Sequence, residues 1–374
     1  MRVALVHYWL VGMRGGEKVL EALCELFPDA DIFTLVADRS AISETIARHR
    51  IETSFLQRLG GRRHYQKLLP LMPLALESFD LSVYDLVVSS ESGPAKGVIP
   101  RPDALHVCYC HSPMRYIWDL APEYRRNAGR LAGAALGLAG PRLRQWDVTT
   151  AARVDHFIAN SAFVARRIEK YYRRDATVIH PPVDLARFAI GNPGEAYLCA
   201  GQVTPCKRIE LAVEAFTRLG RPLVVIGDGV TDRLRGLAGP NVRFLGPVGD
   251  AEMAAWLGRC RALVFPGVED FGIVPLEAMA SGRPVIAFGR GGALETVIPG
   301  RTGVLFAEQT VEALVHAVSR LELIESRLDP QALRAHAEGF SRPRFLAELR
   351  GFFAEKLAPA PVGMAHHDGR LRAS

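Results

Sequence analysis

The chain has 374 residues, a length that suggests two or three domains, and its 49% hydrophobic and 23% charged content is that of a protein with complete hydrophobic cores. The net charge of +6, with a pI near 9.1, is compatible with an anionic ligand, an anionic membrane surface or nucleic acid, and does not choose among them. A transmembrane helix needs about 20 consecutive apolar residues, and no run in this sequence reaches ~18. We therefore expect no transmembrane helix.

The chain start and the cysteines bear on the compartment. The first residues, MRVALVHYWLVGMRGGE, have the pattern of a strand and a glycine loop, so we expect no signal peptide. The six cysteines include no CxxC pair and most lie in apolar runs. We therefore expect buried, reduced thiols in a cytoplasmic protein.

The first half predicts an α/β domain in which strands alternate with helices. The predicted strands span residues 2–7, 31–36, 85–90, 106–110, 156–159 and 177–180. The first strand leads through the loop 12–16 into a helix predicted to start at Glu17, an arrangement that receives anions at a helix N-terminus, with a plain tight turn as the alternative. The strand HVCYC leads directly into the loop 111–116, at the edge where open α/β sheets bind ligands.

Two segments of the first half mix basic and apolar residues. Segment 55–74 carries Arg58, Arg62 and Arg63 among bulky apolar side chains, and segment 125–144 surrounds the small apolar run LAGAALGLAG with arginines. Such patterns suit a surface at a lipid interface or an acceptor-lipid groove. An amphipathic helix packed on the sheet and an ordinary helical hairpin are the alternatives, and the sequence leaves both open.

Two prolines, Pro181 and Pro182, mark the crossing between the halves, since they stop a helix or a central strand. We predict a domain over 1–185, a second over 186–358 and a disordered tail over 359–374. In the second half, the predicted strands are 197–200, 223–226, 242–245, 262–265 and 284–287. Lys207 and Arg208 stand at a predicted helix start, where a bound anion would offset their unfavourable interaction with the helix dipole.

The stretch ALVFPGVEDFGIVPLEAMASG, residues 262–282, predicts a strand, a loop and a helix opened by Pro275. It places Glu269 in the loop and Glu277 in the first turn of the helix, with unpaired amides at 272–274 that would attract an anion. Two solvated surface acids are the alternative explanation.

This stretch resembles the signature of retaining glycosyltransferase family 4, as do the strings ANSAFVARRI and HPPVDLARF. The string HSPMRYIWD is similar to one in the mannosyltransferase-like branch of bacterial polysaccharide biosynthesis. The resemblance implies the GT-B fold, in which two Rossmann-like domains face each other across a cleft and the C-terminal helix crosses back to the first domain.

The resemblance also implies roles for individual residues. It implies that the catalytic residues are His111, Glu269 and Lys207. It implies donor binding by Gly15, Gly16, Arg208, Gly227, Gly229, Val248, Phe271, Gly272, Ile273, Val274 and Glu277, with Arg14, Arg115 and Gln202 as further candidates. Gln202 departs from the family pattern, which has a basic residue at that position. No metal ion or cofactor is implied.

The function that follows from the resemblance is transfer of a hexose, preferably mannose from GDP-mannose, to a polyprenyl-diphosphate-linked saccharide in exopolysaccharide or O-antigen assembly. We expect a cytoplasmic protein at the inner face of the membrane that has no nucleic-acid partner. The alternatives are a UDP-sugar-dependent transferase, a sugar-nucleotide epimerase of the same fold, and a non-catalytic basic peripheral membrane protein. The glutamate pair argues against the last, because both acids would repel phosphate at a surface that only binds polyanions.

Overall fold

A computed structural model of the chain describes residues 1–60, 65–127 and 129–358. These residues form two parallel β-sheets, one in each half of the chain, and helices cover both. The predicted α/β class with two Rossmann-like domains is therefore confirmed. Arg62, Arg63 and the predicted tail 359–374 lie outside the described residues.

The first sheet has seven parallel strands in the order β3-β2-β1-β4-β5-β6-β7. The strands are β1 Val3–His7, β2 Asp31–Thr34, β3 Ile51–Thr53, β4 Leu86–Glu91, β5 Leu105–Cys110, β6 His156–Ala159 and β7 Ala176–Val178. Every residue of β4 is buried, including the polar Ser89, Ser90 and Glu91, as expected for a central parallel strand that is covered on both faces. The edge strand β3 was not predicted, since its three residues, IET, are too short and too polar to form a pattern.

The helices of the first half cover both faces of this sheet. They are α1 Gly15–Leu26, α2 Glu44–Ala47, α3 Met72–Glu77, α4 Ala121–Asn127, α5 Arg130–Ala151 and α6 Ala162–Tyr172. The described residues of segment 55–74 form short 3₁₀ turns and the start of α3, and those of segment 125–144 form the end of α4 and most of α5. None of the helices in the described part of the chain combines the length and apolar content that a bilayer crossing requires.

The second sheet has six parallel strands in the order β10-β9-β8-β11-β12-β13. The strands are β8 Tyr197–Ala200, β9 Leu223–Ile226, β10 Val242–Gly246, β11 Leu263–Phe265, β12 Val285–Phe288 and β13 Gly303–Phe306. Its helices are α7 Ile209–Leu219, α8 Asp232–Gly236, α9 Asp250–Arg259, α10 Ile273–Ala280, α11 Ala293–Thr296, α12 Val311–Ile324, α13 Pro330–Glu338 and α14 Arg342–Lys356. Two hydrophobic clusters, one on each face, hold the sheet between its helices.

The last helix, α14, crosses back to the first half. Phe345, Leu349, Phe352 and Phe353 are buried in the same cluster as the residues of β1 and α1. The backbone amide of Val183 donates to the Phe340 carbonyl at 3.0 Å, so the two crossings between the halves run side by side. The expected return of the C-terminal helix is confirmed.

Two helices begin earlier than predicted. Helix α1 starts at Gly15, which places Gly15 and Gly16 in its first turn and not in the preceding loop. Helix α10 starts at Ile273, so Pro275 is its third residue and Glu277 lies in the second turn, not the first. Proline fits anywhere in a first helical turn, because none of those amides has an intrahelical acceptor, and so it does not fix the first residue.

In both sheets the strand order reverses beside the first strand, between β1 and β4 and between β8 and β11. Loops at the carboxyl ends of such strands diverge and leave a crevice, which is the usual ligand position in open α/β sheets. The candidate site lies at these two points.

Candidate active site

The loop after β11 carries Glu269, and the turn after β8 carries Lys207. Glu269 Oε1 lies 3.0 Å from Lys207 Nζ, and both side chains are about one-quarter exposed. Lys207 ends the 3₁₀ turn Pro205–Lys207, close to Gly201, whose φ is +127°. A Cβ at Gly201 would come within 2.6 Å of Lys207 Nζ, so glycine leaves the space that the ammonium group occupies.

A cavity of about 450 Å³ opens beside this ion pair and is shared by both halves of the chain. Arg14 lines it from the first half and Lys207 from the second, so two cations face one space. The other lining residues are Gly201, Gln202, Ile226, Gly227, Asp228, Pro247, Val248 and Met253. The structure therefore brings the predicted residues Arg14, Gln202, Lys207, Gly227 and Val248 together. Paired cations in a half-enclosed cleft attract a diphosphate.

The turn after β9 forms one wall of the cavity. Gly227 has a φ of +149°, and a Cβ there would come within 1.9 Å of the Gly201 carbonyl oxygen. Gly229 also has a positive φ, +95°, and its amide donates to Asp228 Oδ1 at 2.8 Å. This turn brings two backbone segments closer together than any side chain allows.

Arg208 and Glu277 are not among the described residues that line this cavity. Arg208 directly precedes α7 and is half-exposed, with Nη1 3.6 Å from Glu210 Oε1 in the first turn of that helix. Glu277 is partly exposed, and burial raises its pKa to about 7, although the Arg187 guanidinium opposes this shift. Arg187 in turn pairs with Asp250 at 2.9 Å.

The N-terminus of α10 faces the first half of the chain. Gly272 precedes it with a φ of +87°, and Ile273 Cδ1 lies 3.1 Å from the position that a Cβ at Gly15 would occupy. Helices α1 and α10 therefore meet end to end, and the first amides of each have no intrahelical acceptor. Phe271 is buried and stacks on His180 at 5.3 Å between ring centroids, and Val274 packs against the core.

Across the cleft, His111 follows β5. Its Nε2 lies 3.0 Å from Ser90 Oγ, and burial together with the nearby His7 lowers its pKa to about 3. A Cβ at Gly16 would lie 3.0 Å from the Tyr8 hydroxyl and 3.6 Å from His111 Nε2. His111 is thus a neutral imidazole beside the start of α1.

Sequence reasoning missed His7 and Tyr8 at the end of β1. His7 is fully buried, 3.7 Å from Glu17 Oε1, and neither of its ring nitrogens has a hydrogen-bond partner within the described residues. A polar HY pair ending an apolar strand beside a predicted ligand loop was the available signal.

Arg115 spans the cleft. Its Nη2 donates to Asp270 Oδ1 at 2.6 Å, and Arg167 Nη1 donates to the same oxygen at 2.9 Å. Glu295 forms a second link, since it accepts the amides of Ala162 and Phe163 at the start of α6. Of these four residues, only Arg115 was predicted from the sequence. Asp270, Arg167 and Glu295 carried no local signal, because each resembles an ordinary surface charge.

No group of three or more His, Cys, Asp or Glu side chains that could hold a metal ion occurs within residues 1–60, 65–127 and 129–358.

Two family models match the chain. Residues 13–187 match that of Glycosyltransferase Family 4, and residues 194–322 match that of Glycosyl transferases group 1. D-inositol 3-phosphate glycosyltransferase of Actinosynnema mirum is 31% identical over 254 residues, which cover 58% of this chain and 61% of that protein. Glycogen synthase of Mycobacterium tuberculosis is 30% identical over 246 residues, 58% of this chain and 59% of that protein. The chain thus spans about four to six tenths of the length of the curated relatives it matches.

Solved structures match over nearly the whole chain. Sucrose-phosphate synthase from Thermosynechococcus elongatus has a TM-score of 0.72 at 19% identity, covering 96% of this chain and 100% of that one. Anabaena HepE, solved with UDP and glucose, has a TM-score of 0.65 at 17% identity, with the same coverage. At these identities the likeness establishes the fold alone. The chain therefore has the GT-B fold, and its two halves are similar to glycosyltransferase family 4 and to glycosyl transferases group 1.

Proposed function

We propose that the protein is a retaining glycosyltransferase that moves a hexose from a nucleotide sugar to an acceptor hydroxyl. The observation that carries this proposal is the cavity of about 450 Å³ with Arg14 on one side and Lys207 on the other, beside Glu269. Two cations suit a diphosphate, and a carboxylate next to them suits the hydroxyls of a sugar.

In the reaction, the bond between the anomeric carbon and the diphosphate oxygen breaks, and a bond to the acceptor oxygen forms on the same face of the sugar. Lys207, Arg14 and the amides at the start of α10 stabilise the charge that develops on the leaving diphosphate, without a metal ion. The leaving phosphate takes the acceptor proton. His111, neutral because of its burial, hydrogen-bonds the hexose.

The preferred donor is GDP-mannose and the preferred acceptor a polyprenyl-diphosphate-linked saccharide of exopolysaccharide or O-antigen assembly. The HSPMRYIWD string, which places His111 and Arg115 at the cleft, supports the mannosyl donor. The second candidate is a UDP-sugar donor, the alternative that the sequence left open; HepE, which shares this fold, was solved with UDP and glucose.

Calorimetric titration with GDP, UDP, dTDP and ADP, followed by the sugar forms of the tightest binder, tests the proposal. GDP binding at least about tenfold tighter than the others, which is 1.4 kcal/mol, supports the mannosyl donor. Preference for UDP would support the transferase function but would indicate a UDP-sugar donor in place of GDP-mannose. An absence of binding to all four nucleotides would contradict the proposal and leave the non-catalytic alternative.

The exposed apolar side chains of segment 55–74 support a peripheral membrane position. Leu59 is 56% and Leu74 63% exposed, and Arg58 stands next to Leu59. Leu138 on α5, in the second basic segment, is 85% exposed. Leucines beside arginines at a surface suit insertion into an anionic lipid interface at the cytoplasmic face.

Sedimentation with anionic vesicles tests this position. The double substitution Leu59→Ser and Leu74→Ser should lower the bound fraction several-fold, because each buried apolar side chain adds about 1.5–3 kcal/mol. Leu323→Ser is the matched control, since Leu323 is 77% exposed in the second domain. Equal sedimentation of the double variant and the parent protein would refute the membrane contact.

A further inference from the structure

Asp270, the neighbour of Glu269, is bonded to the opposite domain through its side chain. Its Oδ1 accepts from Arg115 Nη2 at 2.6 Å and from Arg167 Nη1 at 2.9 Å. These side chains are 17%, 8% and 19% exposed for Arg115, Arg167 and Asp270, so the cluster is largely shielded from water. Charged hydrogen bonds of this kind keep much of their strength and fix geometry.

The same Arg167 guanidinium also holds the loop that follows His111. It donates to Ser112 Oγ, to the Pro113 carbonyl and to Asp119 Oδ1. One buried side chain is therefore bonded both to loop 111–119 and to Asp270. Arg115, a member of that loop, reaches Asp270 independently.

The cluster is balanced in charge, with two guanidinium groups against the carboxylates of Asp119 and Asp270. Removing the Asp270 charge leaves two cations sharing one carboxylate in a shielded space, which is costly. The Asp270 backbone is held separately, because its carbonyl accepts from Ser161 Oγ at 2.7 Å. Loss of the carboxylate should therefore release loop 111–119 without unfolding the loop that carries Glu269.

We propose that Asp270 is a positioning residue: through Arg115 and Arg167 it sets the placement of the His111 loop relative to Glu269. Its effect on turnover rests on the proposed function, in which His111 and Glu269 act on one substrate. Its effect on the positions of the two loops does not depend on the proposed function. The positioning role and the proposed function can therefore be tested separately.

The first experiment is hydrogen–deuterium exchange of Asp270→Asn without ligand. The near-isosteric amide removes the charge, and amide exchange in 111–119 should rise about tenfold or more, as expected for loss of charge-assisted hydrogen bonds. Exchange in the central strands should not change. Arg115→Gln should in turn raise exchange in 266–272. A residue that stabilises only its own loop would leave 111–119 unaffected.

Two matched control variants distinguish the effect of the Asp270 carboxylate from that of neighbouring charged groups. Asp119→Asn removes the charged partner of Arg167 within the first domain and keeps both bonds to Asp270, so the backbone amide of Arg115 should stay protected from exchange. Glu295→Gln weakens a separate link between the domains, and should raise exchange near Ala162 and Phe163 but not in 111–119.

The second experiment follows GDP-mannose and UDP-glucose turnover, together with GDP and UDP affinity. Asp270→Asn should lower kcat about 100-fold, the scale of a misplacement of about 1 Å, and leave the nucleotide Kd within about twofold. The double variant with Arg115→Gln should lose less than the sum of the single losses. Unchanged exchange in 111–119 would overturn the proposal. If Asp270→Asn raises exchange in 111–119 but the parent protein binds no nucleotide, the proposed function is refuted. The coupling between the two loops would still be supported.

Discussion

The two sides of the cleft differ in charge and in how their backbones are held. The second-domain side carries Lys207 and Glu269 in an ion pair and turns through Gly227 at a φ that side chains rarely adopt. The first-domain side contributes Arg14 to the cavity, and at the end of β5 it carries His111 as a neutral ring beside Tyr8, whose pKa is raised by burial. Charged groups suit a diphosphate, and a neutral, buried ring suits an uncharged sugar. The difference teaches that the Lys207 side should govern nucleotide affinity and that His111 should govern turnover.

The largest expected effect is on the second-domain side, at Gly227. Gly227→Ala places a Cβ 1.9 Å from the Gly201 carbonyl and at a φ of +149°, and should destabilise that domain by about 2–4 kcal/mol. Nucleotide binding should be lost, and thermal unfolding should show an earlier transition. Gly236→Ala is the control, because open space surrounds that position. A Gly227→Ala protein with parental stability and affinity would mean that the turn is not constrained.

The next largest effect is expected from removal of the Lys207 charge. Lys207→Met should weaken nucleoside diphosphate binding by about 1.5–3 kcal/mol, roughly 10- to 100-fold, because it removes a charge-assisted bond in the cavity. Arg208→Gln, next to it but paired with Glu210 at the surface, should change affinity far less. Calorimetry measures both. Equal losses of affinity in the two variants would show that Arg208 also contacts the nucleotide, and would contradict the surface position of its side chain.

The pH dependence of binding should come from the second-domain side. The pKa of Glu277 is raised to about 7 by burial, so its carboxylate is protonated below that pH and ionised above it. If the ionised form accepts the ribose hydroxyls, affinity should rise with pH by up to about tenfold per unit below pH 7 and level off above it. Glu277→Gln should remove this dependence and lower affinity at pH 8. A pH-independent Kd in the parent protein would exclude Glu277 from binding.

The smallest expected effect is that of His111 on nucleotide affinity. With a pKa lowered to about 3, His111 does not change charge between about pH 5 and pH 8. His111→Gln should leave the nucleotide Kd within about twofold and its pH dependence unchanged, while donor turnover falls about 100-fold or more. Titration and a turnover assay on the same samples measure both. A loss of nucleotide affinity equal to that of Lys207→Met would end the comparison between the sides.

The sequence predicted most of the fold because most strands contain a short apolar run bounded by turn residues, such as LVV in β4 and YLCA in β8, a pattern typical of buried parallel strands. It was least accurate at helix starts. Gly15, Gly16 and Glu277 were each displaced by part of a turn, since first-turn residues face similar constraints wherever the helix begins.

The local sequence by itself determined the strand, loop and helix units and which loops bear Glu269, Lys207 and His111. Only the tertiary structure decided which of these residues share a space. Arg14 meets Lys207 in one cavity, and Arg115 meets Asp270 from 155 positions away in the chain. Such pairs depend on how the two sheets face each other, which the periodicity of a single chain does not encode. A local pattern records which face of an element is buried, whereas a contact across the cleft depends on the orientation of both domains together.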